Sequence, residues 1–501
     1  MNADRHVHLL ERLELPLPLE AYREAFPGGR GGFVLDSRTA AGEALTLLGA
    51  EPFLAFRAFR GDRRLASGAL GARVEIEEQG VTVRAEVDDA FVVLRALLRE
   101  HAVDPAASPA DRPFPLLAGA VGYVGYETGQ MLERLPCAAR PGLGMPDIAL
   151  FFHDWVLARC HGTGESWLSV VGRGRTMVEA RSAAAATRDR LRRVLTSFVP
   201  AGSVASGGST AVRAVTSRAR YLADIVTAKQ HIDDGDAFEI CLTHRLDAPF
   251  TGDPFALWQE LRRQSPAPYA TFLDLPEAAV VSSSPERFLS LDAARVAESR
   301  PIKGTRPRGI TAQEDARLAA DLATAAKDRA ENAMIVDLVR NDLGRVCRFG
   351  SVEAPQLFAV ERYATVHQLV STVRGELDVD RDAIDLVRAC FPPGSMTGAP
   401  KIEAMTILEG LEPTERGVYA GALGWLDFGG TMDLSVVIRT IVVKDGVAHL
   451  HVGGAIVADS DPEMEHDETM HKARAPLAAL AALADAQRAA PLPAAAASSS
   501  P

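Results

Sequence analysis

Lys303 sits in Arg300-Pro301-Ile302-Lys303-Gly304-Thr305-Arg306-Pro307-Arg308-Gly309, between a Pro-Ile lead-in and a Gly-Thr pair. Two prolines and two glycines make this segment turn-rich rather than helical. An ammonium surrounded by like charge loses its proton more readily. Arg300, Arg306 and Arg308 are therefore expected to lower the pKa of the lysine and make it a usable nucleophile. Taken alone, the decapeptide reads more readily as a solvated basic loop that binds an anion, and it is the rest of the sequence that reverses this.

Two other stretches pair carboxylates at helical spacing. Asp328 and Glu331 share a face of the helix expected over 326–338, and Glu465 and Glu468 share a face of one beginning near Ser460, with Lys472 a turn beyond. Either Ser460 caps that second helix with Glu463 closing a box, or Asp461 caps it with Pro462 in first position. Like charges three apart cost roughly 0.2–0.5 kcal/mol in water, and nothing offsets that cost unless a cation sits between them. Oxygen-only ligands on two facing helices suit Mg2+; two solvated acidic faces are the alternative.

Gly453 and Gly454 lie in an expected loop, 451–459, leading into the second acidic helix, where backbone N–H groups could approach a carboxylate. Arg439 interrupts an apolar run, 432–443, that reads as one strand. A buried arginine needs an anion, either an internal Asp or Glu or a carboxylate ligand. Glu286 in Ser284-Pro285-Glu286-Arg287-Phe288, His367, Tyr419 and the loop 391–401 with Ser395 complete the set. Read singly, each is a cap, a satisfied core polar group or a turn.

The 501 residues carry 54 basic and 66 acidic side chains, a net charge of −12, which argues against nonspecific binding to nucleic acid or an anionic membrane. Five cysteines lie apart, with no CxxC pair, so a disulfide framework or zinc-thiolate site is not expected and a reduced, cytoplasmic setting is. The amino-terminal residues do not read as a secretion signal, and no apolar run is long enough to span a bilayer. Residues 1–200 are expected to form an N-terminal region, 201–215 a linker, 216–485 the catalytic domain and 486–501 a disordered tail.

In order along the chain, SPERF, PIKGT, KDRAENAMIVDLVRNDLGR, FPPGSMTGAPK, RGVYAGALG, IRT and GGAIVADSDPE resemble the motifs of the chorismate-utilising enzymes. The resemblance runs over roughly 216–480, and the N-terminal GYVGYE stretch resembles that family's N-terminal region. It implies an α+β fold of two near-orthogonally packed β-sheets flanked by helices, with the active site in a cleft.

Family members that add water carry a lysine base where this chain has Glu239, so water addition is not expected. Those forming anthranilate carry a small residue at Lys303 and a GTxSGAPK loop. Lys303 with Ser395-Met396-Thr397-Gly398 resembles the branch that aminates chorismate at C4. The resemblance implies Lys303 as nucleophile, Glu286 as acid and His367 as a positioning group. It also implies Mg2+ on Glu331 and Glu468 supported by Asp328 and Glu465, and substrate contacts from Arg439, Tyr419, Gly453, Gly454, Ala455, Lys472, Ser395 and Thr305.

Ammonia would come from a separate glutaminase subunit, because no cysteine here lies in a GxCxG elbow. Asp36 and Ser37, with Pro268 and Tyr269, resemble two pieces of the family's tryptophan pocket, with Asp where anthranilate-forming members have Glu; a strand end followed by a turn is the alternative. The rival functions are an anthranilate-forming subunit and a non-catalytic chorismate-binding subunit.

Overall fold

The computed structural model describes residues 6–26, 30–38, 44–104, 113–138, 140–199 and 207–489. Two 12-stranded sheets form the centre of the molecule. Each is built from strands of both halves of the chain. In the first sheet Gly32–Arg38 pairs antiparallel with Tyr269–Asp274. In the second, Gly119–Val124 pairs antiparallel with Ala422–Asp427. Residues on either side of 201–215 thus share both sheets, and within that span Arg213–Ala214 adds to the edge strand Glu239–Pro249. Residues 201–206 of the expected linker, and 490–501 of the expected tail, lie outside the described residues. The last helix, Pro462–Ala489, runs past the expected end of the domain at 485.

The sheets face one another across an apolar layer. Phe33, Leu47, Leu273 and Val280 come from one side, and Val121, Phe151, Leu423 and Trp425 from the other. Strands buried on both faces need no alternation, which is why Ile148–His153 and Ala422–Asp427 are buried at every position. On the outer face of the first sheet Leu191, Trp258 and Leu480 pack from helices. Phe91, Ile335 and Leu386 do the same for the second. The class is α+β, as the resemblance implied.

Local signals are honoured at several element ends. Ser217 accepts from the backbone of Arg220 and starts helix Arg218–Asp233. Gln79 and Gly80, both with positive φ, make the tight turn between Leu70–Glu78 and Val81–Val87. Asp461 accepts from Met464 N at 3.0 Å with Pro462 as the first helical residue, so the Asp-Pro start forms. Ser460 Oγ instead donates to Glu465 at 2.6 Å.

Two segments depart from expectation in ways that matter for the site. The run 432–443 is not one strand: Met432–Val436 belongs to the second sheet and Thr440–Lys444 to the first. The chain crosses between sheets at 437–439, where Arg439 takes φ 53°. The glycine pair is not in a loop either; Gly453 and Gly454 lie inside strand Val447–Ile456, opposite Thr243 and Leu242.

Leu423 is 1% exposed in the layer between the sheets. Leu423→Ala should destabilise the fold by about 2–5 kcal/mol, read from the urea midpoint; a loss near zero would show that the two sheets do not share a close-packed core.

Candidate active site

A cavity of about 750 Å3 opens where the sheet-to-sheet crossing, the Lys303 segment and two acidic helices meet. Its wall includes Glu286, Lys303, Thr305, Asp328, Glu331, Ser395, Tyr419, Arg439, Gly453, Ala455, Glu465, Glu468 and Lys472. A larger cavity, about 1090 Å3, lies elsewhere among Arg57, Glu75, Phe151 and Arg173 and contains none of the residues singled out from the sequence. Chemistry, rather than volume, marks the smaller one.

Lys303 belongs to strand Ile302–Pro307, which pairs with Val366–Glu376 through a register shift between Ile302 and Thr305. The extra residue of this bulge re-aims the lysine into the cavity. Gly304, at φ 84°, makes the bulge possible, and a Cβ there would stand 2.8 Å from Cγ of Asp328. Only glycine lets the strand approach helix Ala326–Gly344 this closely.

The expected effect of the three arginines on Lys303 is overturned. Arg300 pairs with Glu361, Arg306 with Asp321 and Asp328, and Arg308 with Asp315. Lys303 Nζ instead lies 2.7 Å from Glu239 Oε1. Burial pushes the ammonium towards losing its proton, but the carboxylates of Glu239 and Glu331 outweigh it, and the lysine pKa is raised. At rest the site holds an ammonium.

Glu286 lies behind it, 5% exposed and accepting from Ser395 Oγ at 2.8 Å. Burial pushes its pKa up from 4.5 to about 7, against the lowering effects of the Ser395 hydrogen bond and of Lys303. A carboxyl poised near neutrality suits general-acid work.

Two arginines near the cavity, Arg416 buried and Arg439 half-buried, have contrasting surroundings. The guanidinium of Arg416 donates to Glu412, Met396 O and Cys241 O, and is satisfied internally. Arg439 makes one hydrogen bond, to Lys472 O at 2.9 Å, and no ion pair among the described residues. Burial lowers its pKa. Of the two anions open to Arg439 from its sequence, no internal carboxylate lies within ion-pair distance among the described residues, though Glu468 acts on it from further off, and the guanidinium is available to a ligand carboxylate. Tyr419 stacks on His451 with ring centroids 5.3 Å apart, and burial holds its phenol protonated.

The acids of the two helices do face one another. Lys327 Nζ stands 3.8 Å from both Glu331 Oε1 and Glu465 Oε1, a cation between the two helices. Asp328 is tied to Arg306 at 2.9 Å and Glu465 to Ser460, whereas Glu468 meets Lys472 at 2.7 Å. Burial raises the pKa of Glu331, with Lys303 opposing. Among the described residues no cluster of three or more His, Cys, Asp or Glu stands at metal-holding separation. The donor set is all oxygen, and Glu331 and Glu468, from different helices, both border the cavity. That fits a hard divalent cation taking two carboxylates plus water.

Other expected residues divide. Gly453 and Ala455 reach the wall; a Cβ on Gly454 would instead meet Glu465 Oε2 at 3.2 Å. Lys472 Nζ donates to Gly453 O at 2.9 Å. His367 does not reach the wall: it is fully buried, with Nε2 2.9 Å from Asp315 Oδ1. Side chains alternate along a strand, so its neighbours Val366 and Gln368 face the cavity instead. Gln368 Oε1 is buried without a protein partner. Gln368 lies opposite Thr305, a pairing the sequence does not signal. Asp36 lies opposite Ala270, which places Ser37 beside the Pro268-Tyr269 turn. The Asp36 carboxylate already accepts from Thr46 at 2.7 Å and Arg262 at 3.2 Å.

A buried amine, a carboxyl poised near neutrality, an arginine without an internal anion and an acidic two-helix wall define a site for a small anionic substrate and acid–base chemistry. The chain belongs to the chorismate binding enzyme family, whose model matches residues 56–478. It is 46% identical over 391 residues to an aminodeoxychorismate synthase of Streptomyces pristinaespiralis, covering 76% of this chain and 53% of that one; the chain spans about half the length of that relative. It is 41% identical over 419 residues to anthranilate synthase component 1 of Thermus thermophilus, covering 83% of this chain and 89% of that one. The structure of anthranilate synthase component I from Streptococcus pneumoniae superimposes with a TM-score of 0.71 at 28% identity, covering 86% of this chain and 92% of that one. Among the described residues no helix is long and apolar enough to cross a membrane.

The raised pKa of Glu286 has a stability consequence. Its folded pKa, about 7, lies above the unfolded 4.5. The contribution is fully present below pH 4.5 and is lost as pH rises through about 7, a cost of ~3 kcal/mol. Glu286→Gln should therefore unfold at higher denaturant than the parent at pH 8, with the gap closing at pH 4; parallel pH profiles for the two proteins would contradict the shift.

Proposed function

We propose that this chain replaces the C4 hydroxyl of chorismate with ammonia, giving 4-amino-4-deoxychorismate, through a transient bond to Lys303. The observation that carries this reading is the placement of Lys303. A bulge turns the amine into a cavity whose wall also holds Glu286, an acid with a pKa near neutrality. The name of the Streptomyces pristinaespiralis relative supports it, and the lysine itself separates it from anthranilate formation, where the resemblance implies a small residue.

In the proposed reaction Arg439 and Tyr419 orient the enolpyruvyl carboxylate, with the backbone at Gly453 and Ala455. Mg2+ would be held by Glu331 and Glu468, with Asp328 and Glu465 in support, and would supply a fixed positive charge for the ring carboxylate. The Lys303 nitrogen forms a bond to C2, the diene electrons shift, and the C4–O bond breaks. Glu286 gives its proton, so the hydroxyl leaves as water. Ammonia then bonds to C4, the electrons return, and the C2–N bond to Lys303 breaks. Ammonia is mostly ammonium at neutral pH, which makes a separate glutaminase subunit the natural donor. A bound tryptophan near Asp36 would have to compete with Thr46 and Arg262 for that carboxylate.

With chorismate, Mg2+ and an ammonium salt, chromatography should identify 4-amino-4-deoxychorismate as the product. Lys303→Ala should lose at least about 100-fold of that product. A fluorescent anthranilate product from the parent protein would instead favour the function named for the Thermus relative, and magnesium-dependent binding without chorismate consumption would favour a binding subunit. Glu331→Gln should weaken Mg2+ binding in calorimetry by about 10-fold or more without changing the thermal midpoint of the metal-free protein downward.

A further inference from the structure

Glu239 has no role in the reaction as written above, yet it is the direct partner of the lysine. It begins strand Glu239–Pro249 of the first sheet, whereas Lys303 lies in the second. The carboxylate is 0% exposed. One oxygen is 2.7 Å from Nζ, and the other, Oε2, is buried without any protein partner. One short contact joins this buried carboxylate to the ammonium, and moving one proton across it neutralises both groups at once.

An ammonium has no lone pair and cannot attack. The cationic neighbours in sequence are committed elsewhere, so the lysine needs an acceptor within reach. The other titratable groups near the pair among the described residues are Glu331, Glu468 (itself paired with Lys472 at 2.7 Å), Glu286 and Cys241. None of them lies within ion-pair or hydrogen-bond distance of Nζ. Glu331 faces the opposite helix, Glu286 is required as the acid, and burial raises the pKa of the Cys241 thiol.

Resting on the proposed amination, we infer that Glu239 is the proton shuttle of Lys303, taking a proton from the ammonium before attack and returning it when the lysine is expelled. The bookkeeping closes. Glu239 takes one N–H proton; the freed lone pair makes the N–C2 bond; the C4–O bond breaks and water leaves with the Glu286 proton. Ammonia makes the C4–N bond, the C2–N bond breaks, and the departing amine recovers its proton from Glu239. The ammonium ion that supplied the ammonia reprotonates Glu286. Without a carboxyl at 239, the bound lysine nitrogen releases its proton to water and becomes a poor leaving group.

Two measurements on Glu239→Gln test this. Brief acetic anhydride labelling across a pH series, read on the Lys303 peptide by mass spectrometry, reports the protonation of the lysine without requiring turnover. Labelling should begin at least about one pH unit lower in the variant than in the parent. Second, product formed per free ammonia should fall about 100-fold with the KM for chorismate changed less than threefold. The Lys303 peptide should then retain the mass of chorismate less one water. Glu239→Asp keeps a carboxyl and should recover part of the rate.

An unchanged labelling profile overturns the inference whatever the reaction is. Shifted labelling with parental turnover and no adduct also overturns it, leaving the amination intact. If the parent protein makes no 4-amino product, the amination reading fails first, and the shuttle is withdrawn with it.

Discussion

A single ion pair joins the two sheets at the point where the cavity forms. Lys303 is contributed by one sheet and Glu239 by the other, and neither could be buried without its partner. The pair requires the bulge that carries the lysine, the bulge requires Gly304, and Gly304 sets the distance to helix Ala326–Gly344 with its acids. A change in any of these positions therefore acts on the others. The apolar layer between the sheets supplies the free energy, but this charged contact fixes how their edges meet.

The same junction explains why Arg416 and Arg439 have opposite uses. Arg416 knits the end of helix Lys401–Leu411 to the Ser395 loop and to strand Glu239–Pro249, with Glu412 neutralising it. Each of its hydrogen bonds goes to the frame around the cavity. Arg439 lies where the chain changes sheets, in a left-handed conformation that costs a non-glycine residue free energy. Strain of that kind persists where the surrounding strands over-determine it, and here strands of both sheets flank it directly. The result is a guanidinium aimed at the cavity with one backbone carbonyl as its only described partner.

Much of this was legible in the sequence because polar residues stood in apolar or glycine-rich contexts: Lys303, Glu286, Arg439 and the acids of both helices all reach one cavity. What could not be read depended on tertiary partners. The sign of the Lys303 shift turned on where three arginines found carboxylates, and each found its own partner away from the lysine: Glu361, Asp321 with Asp328, and Asp315. His367 and Gln368 differ by one residue, and in a strand one residue exchanges faces. The break at 437–439 is invisible in an apolar run because both flanking strands are buried. Likewise Gly453 and Gly454 serve close packing against a neighbouring strand and helix, which sequence alone cannot tell from a turn. The interleaving of N-terminal and C-terminal strands has no local signature at all.

Charge presents an apparent conflict that the geometry resolves. The chain carries a net charge of −12, and the substrate proposed for it, chorismate, has two carboxylates. Yet the cavity wall holds Lys303, Arg306, Lys327, Arg439, Lys472 and Arg474 against Glu286, Asp328, Glu331, Glu465 and Glu468. With Glu286 about half protonated near neutrality, cations exceed anions there even before any metal is counted. Low-dielectric walls concentrate such a local excess, whereas the acidic exterior is screened within about 10 Å at moderate salt. An acidic protein can therefore draw a dianion into one pocket, and the acids that seem to oppose it are the groups that position its cations.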